Sequence, residues 1–298
     1  MANAQVKFDL TYDSDMLSNW NDLRFTDSSG TTSIPFWIET YTTSATATVW
    51  AKVPSLPGSG SADIFAYYGN GSAAAAGSGT STFTFFDDFE DAGLSEYSGD
   101  TSLFAALASM NHERSYGIGA AAGSETAQNT SGIAQVSAGV GRDTTFRFFQ
   151  YITTTGGGAS DEPCFIFAVQ SPITNHQNYG ICLESSGQDR VAIAKNVAYN
   201  SHNGSATQLT TTSVAWTTGW YEVSVDWIAS GNQINVTVYD STGAVFATVS
   251  TTDSTYTSGG GRHPSWKSAA QRECSPAFHG EKFRYANFRS ELPSTGRK

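Results

Sequence analysis

The chain has 298 residues, of which 13% are aromatic, only 14% are charged, and 73 are Ser or Thr. This composition excludes a coiled coil, which needs about half Ala, Glu, Lys, Leu and Arg, and a disordered chain, which lacks aromatic residues to bury. The net charge of −11 disfavours nucleic acid as a partner. No apolar run approaches the roughly 18 residues of a membrane span, so membrane insertion is not expected.

Strand-forming residues dominate every patterned segment, and helical periodicity is missing. In chain order, the first predicted strands are VKFDLTY, LRFTD, FWIETY, TATVWAKV and DIFAYYG. The later predicted strands are TFRFFQYI, CFIFAVQ, NYGICLE, RVAIAKNV, WYEVSVDWI, INVTVYD and AVFATVS. Turn clusters rich in Gly, Ser and Asp separate them, and DSTG before AVFATVS indicates a hairpin. The sequence therefore predicts an all-β protein built from sandwiches or barrels.

A small-residue stretch, GNGSAAAAGSGTST, interrupts this pattern at residues 69–82. Such composition is typical of linkers. We therefore predict a small N-terminal module at 1–74, a linker at 75–82 and a larger module at 83–298.

The charge is unevenly distributed along the chain. Residues 1–258 hold 8 basic and 24 acidic side chains, whereas residues 259–298 hold 8 basic and 3 acidic ones. The basic C-terminal region is either a solvated extension or a contact surface for an acidic partner.

The three cysteines are too few for a disulfide framework, but two of them are placed as a pair. Cys164 and Cys182 lie on the strand-like runs CFIFAV and YGICLE. A hairpin centred near Ile173 would set them opposite each other. The sequence allows either a cross-strand disulfide or two small buried residues, and the third cysteine is Cys274.

The N-terminal region contains D-L-R-F-T-D, P-F-W-I-E, V-W-A-K-V-P-S-L-P and Y-Y-G-N. These motifs resemble a domain of unknown function that is common in archaeal and bacterial surface proteins, and the resemblance spans nearly all of residues 6–74. In that family the domain usually precedes a concanavalin-A-like or laminin-G-like jelly roll. The resemblance therefore implies a small β-sandwich followed by a jelly-roll β-sandwich.

The second region is similar to such jelly rolls over residues 85–260. FFDDFEDAGLSEYSGD resembles their first strand, HERSYGI an early strand, and GWYEVSVDW the W-Y-x-V strand of laminin-G-like modules. The end departs from the pattern, because GGGRHPSWKSAAQREC replaces a glycine-rich strand. FRYANF replaces the closing strand, with Asn287 where Asp is usual.

This resemblance implies a structural Ca²⁺ ion at the edge of the jelly roll. Carried over residue by residue, its ligands would be Glu90, Asp91, carbonyls near Arg114–Ser115, and Asn287. Calcium takes six to eight oxygens and needs carboxylates for most of the charge. Asn287 and Arg114 both weaken the match, and the alternative is that Glu90 and Asp91 are solvated turn carboxylates.

Alternation along WYEVSVDW separates two faces of one predicted strand. One face carries Tyr221, Val223, Val225 and Trp227, which we expect in the core. The other carries Trp220, Glu222, Ser224 and Asp226, which Arg147 and Tyr151 of TFRFFQYI could join. Sugars suit such faces because their C–H surfaces stack on aromatic rings while their hydroxyls pair with charged groups. The alternative is that these aromatic residues pack against the second sheet or the neighbouring domain.

The same strand offers a weak catalytic candidate. A retaining glycosidase needs two carboxylates about 5–5.5 Å apart, and Glu222 and Asp226 have the i, i+4 spacing found in such strands. Ser224 stands where an intervening acidic partner is expected, so we do not expect catalysis.

These patterns together predict a non-catalytic carbohydrate-binding or adhesion module of a cell-surface or virion protein. Its expected partner is a glycan or polysaccharide, and its expected location is extracellular, although no signal segment is found in the sequence. One alternative is a structural or assembly module whose partners are copies of itself or other surface proteins. Another is a glycan-cleaving hydrolase or lyase on the same fold.

Overall fold

The chain folds into two compact units, one built mainly from Met1–Asp87 and the other from Asp88–Phe283. The computed structural model describes residues 2–57, 61–95, 97–99, 101–112, 115–120, 133–152, 154, 164–170, 176–185, 188–197, 206–262 and 280–286. Within these residues, no helix is both long and apolar enough to cross a membrane. Strands account for nearly all of the regular structure, which confirms the predicted all-β class.

The first unit contains a three-stranded antiparallel sheet of order β1-β4-β3 and a two-stranded ribbon of β2 and β5. Its elements are β1 (Ala2–Thr11), β2 (Arg24–Thr26), β3 (Phe36–Thr42), β4 (Thr46–Ser55), β5 (Phe65–Tyr67), the short helix α1 (Gly79–Thr82) and β6 (Phe86–Asp87).

Each face of the three-stranded sheet buries apolar side chains. One face contributes Phe36, Val49 and Ala51 to a core. This core also contains Trp20, from the loop before β2, and Phe25, from β2 of the ribbon. The other face carries two tryptophans that pack with two phenylalanines in the cluster Trp37, Trp50, Phe83 and Phe86. The small unit therefore has apolar contacts on both sides of its sheet.

The predicted linker, residues 75–82, lies within this first unit. The Ser78 side chain accepts a hydrogen bond from the Ser81 amide and caps helix α1. The Ser78 amide donates to the carbonyl of Phe36 (2.7 Å), and Gln5 Nε2 donates to the carbonyl of Thr82 (3.1 Å). A Cβ at Gly79 would approach the Phe86 ring to 2.3 Å, so this glycine permits close packing rather than flexibility.

The second unit begins after β6 and consists of strands with short 3₁₀ turns at Thr101–Leu103, Ala108–Met110 and Ser230–Asn232. In chain order, its strands are β7 (Tyr97–Gly99), β8 (Phe104–Leu107), β9 (Gly117–Ala120), β10 (Ile133–Gly141), β11 (Thr144–Ile152), β12 (Cys164–Val169), β13 (Tyr179–Glu184), β14 (Arg190–Lys195), β15 (Thr207–Ser213), β16 (Gly219–Ile228), β17 (Gln233–Tyr239), β18 (Val245–Thr252), β19 (Ser258–Arg262) and β20 (Gly280–Ala286).

These strands form two sheets of a sandwich. The first has the order β15-β14-β13-β12-β19-β10-β7, and the second has the order β18-β17-β16-β11-β20-β9-β8. Aromatic rings join the two sheets in the core: Phe165 lies 4.9 Å from Phe148, and Phe167 lies 5.4 Å from Trp227, between ring centroids. This sandwich is the jelly-roll-like architecture that the sequence predicts.

The first sheet of the sandwich is apolar on its outer side as well. Cys164 and Cys182 are direct register partners on β12 and β13 and form a disulfide. They pack in a cluster with Ile166, Ala192 and Val197, and each of the five side chains is at most 1% exposed. The structure therefore selects the cross-strand disulfide from the two alternatives for this pair.

A polar cluster forms where β13 and β14 meet the loop after β18. The Asp253 carboxylate accepts hydrogen bonds from Tyr179 Oη (2.6 Å) and Lys195 Nζ (2.7 Å). The amide of Thr255 also donates to Asp253 (2.8 Å). Burial alone would raise the pKa of Asp253, but these donors outweigh burial and lower it. Burial, and after it the hydrogen bond to this carboxylate, raise the pKa of Tyr179.

Candidate functional site

The candidate site is the side of β11, β16, β17 and β18 that faces away from the sandwich core, which we call the outer face. Tyr221, Val223, Val225 and Trp227 of β16 are buried in the sandwich core, as predicted. The alternate residues Trp220, Glu222 and Asp226 are partly exposed on the other side, and Ser224 is buried there. Strand register places Arg147 and Tyr151 of β11 on this face as well, opposite Ser224 and Trp220.

Polar side chains on the outer face are held in fixed positions by one another. Arg147 Nη1 lies 3.0 Å from Glu222 Oε1, and both side chains are largely shielded from solvent. Thr145 Oγ1 donates to Asp226 Oδ1 at 2.6 Å. Both carboxylates therefore have ordered orientations and retain lone pairs that can accept further hydrogen bonds.

One end of the outer face is aromatic. Tyr151 and Trp220 meet edge to face with ring centroids 5.3 Å apart. The imidazole of His112 stacks on Phe149 at 4.3 Å and meets Trp220 edge to face at 5.0 Å. The sequence did not identify His112 or Phe149 as site residues. The sequence feature that could have pointed to His112 is the polar run HERSY, in which it is the first residue.

The face continues across two further strands. Register pairs Asp226 with Asn235, Ser224 with Thr237, and Glu222 with Tyr239 on β17. On β18, Thr248 pairs with Thr237 and Ser250 pairs with Asn235, and both β18 residues are exposed. The resulting surface has rings at one end and hydroxyl, amide and carboxylate groups along the rest.

The weak catalytic candidates Glu222 and Asp226 are separated on this face. Each has its own partner, Arg147 for Glu222 and Thr145 for Asp226. The catalytic role of these two residues stays a prediction.

The predicted calcium ligands are only partly within the described residues. Glu90 does reach the segment near Ser115 that the resemblance implies. Its Oε1 accepts hydrogen bonds there from the amides of Ser115 (2.7 Å) and Tyr116 (3.0 Å). Asp91 Oδ1 accepts from the Gly93 amide in its own turn (2.9 Å). No group of three or more His, Cys, Asp and Glu residues able to hold a metal occurs in the described part of the chain. Asn287 and Arg114 lie outside the described residues, so the calcium site stays a prediction.

Glu90 offers a stability test. We expect Glu90→Ala to lower the free energy of unfolding by about 1 kcal/mol, because two charge-assisted hydrogen bonds at an exposed site are lost. Glu90→Gln keeps an acceptor and should lose less. Urea denaturation in EDTA and in millimolar calcium measures both variants. Equal losses in the two buffers fit the hydrogen-bonding role, and stabilisation of the parent chain by calcium that Glu90→Ala removes would establish the ion.

The motif residues of the first unit hold its own backbone together. Asp22 is buried and accepts hydrogen bonds from the amides of Leu17 (3.1 Å) and Gly69 (2.7 Å). Arg24 donates to the carbonyls of Asn21 (3.0 Å) and Ala74 (2.8 Å). Gly69 has a φ of +96°, which favours glycine there. The D-L-R-F-T-D and Y-Y-G-N motifs thus meet in space as structural elements.

The second unit belongs to the all-β fold class, as a sandwich of two sheets. Solved structures with a similar fold include lectin II from Ulex europaeus, at 12% identity and a TM-score of 0.44, covering 68% of this chain and 97% of that one. Another is the cellulose-induced protein Cip1, at 13% identity and a TM-score of 0.39, covering 70% and 100%. A third is the CBM2 module of the evolved Dit of Lactobacillus casei BL23 phage J-1, at 11% identity and a TM-score of 0.38, covering 70% and 97%. At these values the likeness carries no conclusion about a ligand.

A protein-family model described as "Domain of unknown function (DUF2341)" matches residues 19–101. The match supports the predicted resemblance of the N-terminal region to a domain of unknown function. No curated protein matches the chain.

Proposed function

We propose that the second unit is a non-catalytic carbohydrate-binding module and that the outer face is its binding surface. The observation that carries this proposal is the side-by-side placement of the Tyr151–Trp220 ring pair and the Arg147–Glu222 ion pair on β11 and β16. Rings offer apolar surface to the C–H faces of sugars, and ordered carboxylates accept hydrogen bonds from sugar hydroxyls. A surface with both properties fits a glycan better than an apolar ligand.

We further propose an extracellular location, on a cell or virion surface, where the module mediates adhesion. The Cys164–Cys182 disulfide supports this location, because disulfides persist mainly in oxidising compartments. The negative net charge also disfavours nucleic acid as the ligand.

Removal of Trp220 tests the proposed surface. We expect Trp220→Ala to weaken binding to the best ligand of a broad glycan array about 30-fold, because a central aromatic contact contributes about 2 kcal/mol. The measurement is isothermal titration calorimetry with the full chain. The matched control is Gln208→Ala, an exposed residue of β15 on the other sheet, which should bind like the parent chain.

Both variants must keep the parent melting temperature for this comparison to hold. Equal affinity of Trp220→Ala and the parent chain would exclude the outer face. Absence of binding across the array would favour a structural or assembly role. Release of reducing sugar that Glu222→Gln abolishes would instead identify a glycan-cleaving enzyme.

A further inference from the structure

We propose that the ligand is an internal stretch of an uncharged polysaccharide chain, rather than an acidic glycan or a single terminal sugar. This inference rests on the proposed carbohydrate-binding function. Two properties of the outer face carry it, namely the charge of its strands and the distance between its two ends.

The charge of the outer face disfavours acidic sugars. Arg147 is the single basic residue within β11, β16, β17 and β18, all four of which are described in full, and it is paired with Glu222. Asp226 adds a second carboxylate on the same side. A uronate or sialate carboxylate needs a cation or several donors to compensate its desolvation. On these four strands it would meet one cation and two anions.

The groups that remain suit neutral hydroxyls. Glu222 and Asp226 offer acceptors, while Asn235 and Thr237 on the neighbouring strand offer both donors and acceptors. A sugar hydroxyl donates one hydrogen bond and accepts others, so it can pair with all of these groups without burying an uncompensated charge.

The extent of the face indicates a chain rather than one sugar. From Trp220 to Asp226, β16 spans about 20 Å, and the four strands from β11 to β18 are about 14 Å wide. Strand register runs unbroken between β11 and β16 and between β16 and β17. A single sugar covers only part of this extent and so contacts only some of these groups. Affinity must therefore accumulate over several sugar units.

The ends of the face have different roles in this arrangement. Trp220 and Tyr151 provide a stacking position at one end, and the row of Asp226, Asn235 and Ser250 receives hydroxyls at the other. A chain that spans both ends uses the stacking and the hydrogen-bonding groups together, whereas a monosaccharide reaches only one of them.

Chain-length and charge series test the proposal with the full-length protein. The probes are neutral polysaccharides (galactomannan, xyloglucan, laminarin and dextran) and acidic ones (polygalacturonate, alginate and hyaluronan), followed by mono- to hexasaccharides of the best neutral polymer. We expect binding to a neutral polymer that changes less than about two-fold between 0.05 and 0.5 M NaCl, because no net charge is neutralised. We expect the hexasaccharide to compete at least about 100-fold better than the monosaccharide.

A charge-insertion variant sharpens the test. Thr237→Lys places a cation on the face, and we expect it to gain about ten-fold in affinity for polygalacturonate at low salt, with the gain lost at 0.5 M NaCl. The matched control, Gln208→Lys, carries the same added charge on the other sheet and should show no such gain.

Each outcome separates this inference from the function on which it rests. Preferred binding of an acidic polymer by the parent chain would overturn the inference while leaving carbohydrate binding intact. Equal competition by monosaccharide and hexasaccharide would do the same. Binding to none of the probes would overturn the proposed function itself.

Discussion

Replacing both Cys164 and Cys182 with Ala should lower the free energy of unfolding by about 3 kcal/mol. The disulfide closes a loop with a sequence separation of 18 residues, and the loop-entropy relation gives about this value for such a loop. Both cysteines are buried, so reductant should act only after the chain unfolds. Urea denaturation of the oxidised parent and the double variant measures the loss.

Thiol counting provides the control for this prediction. The chain has three cysteines, so the oxidised parent in non-reducing denaturant should titrate one thiol, and a Cys274→Ala chain should titrate none. Three titratable thiols in a parent chain refolded under oxidising conditions would contradict the disulfide. A double variant as stable as the parent would show that the cross-link adds nothing to stability.

Replacing Asp253 with Asn should cost about 2 kcal/mol at neutral pH. Lys195 and Tyr179 each lose a charged acceptor, and the Tyr179 side chain lies in the core, where a poorly paired hydroxyl is costly. Because the pKa of Asp253 is lowered in the folded state, the unfolded chain binds the proton more tightly. The stabilisation is thus present above about pH 4 and is lost as the pH falls further.

This pH dependence separates Asp253 from general acid sensitivity. The loss of stability between pH 7 and pH 3, measured by urea denaturation, should be smaller in Asp253→Asn than in the parent. Asp240→Asn is the matched control, since Asp240 is also an aspartate of lowered pKa but bonds within its own turn, to Thr242, and not to a core residue. A parent-like pH profile for Asp253→Asn would contradict the role of the carboxylate.

Local patterns predicted the strands that have one buried and one solvated side. Alternation along β16 correctly separated Trp227 and Val225 from Glu222 and Asp226. DSTG correctly predicted the β17–β18 hairpin, in which Gly243 adopts a φ of +81°. The pairing of Cys164 with Cys182 also followed from hairpin symmetry. In each case the residues that form the pattern lie within about 20 positions of one another in the sequence.

Contacts between distant segments were not predictable in the same way. His112 reaches Phe149 and Trp220 through the folding of the sheet, and no local pattern encodes that contact. β15 was missed because TQLTTTS is polar, as suits the edge strand that it forms. The segment 75–82 has a linker composition, but Phe83 and Phe86 beyond it anchor the chain against Trp37. Glu90 lies near Ser115 as expected, yet it meets amide groups rather than carbonyls.

The hydrogen bonds of Asp22 and Arg24 have a consequence for how this chain can be compared with others. The hydrogen bonds found for both side chains go to backbone atoms of their own unit. A sequence signature made of such residues records how a unit folds and carries no information about what a protein recognises. Proteins that share this signature can therefore be joined to different partner modules with different ligands. On the function proposed above, the residues to compare between such proteins are those of the outer face, beginning with Trp220 and Glu222.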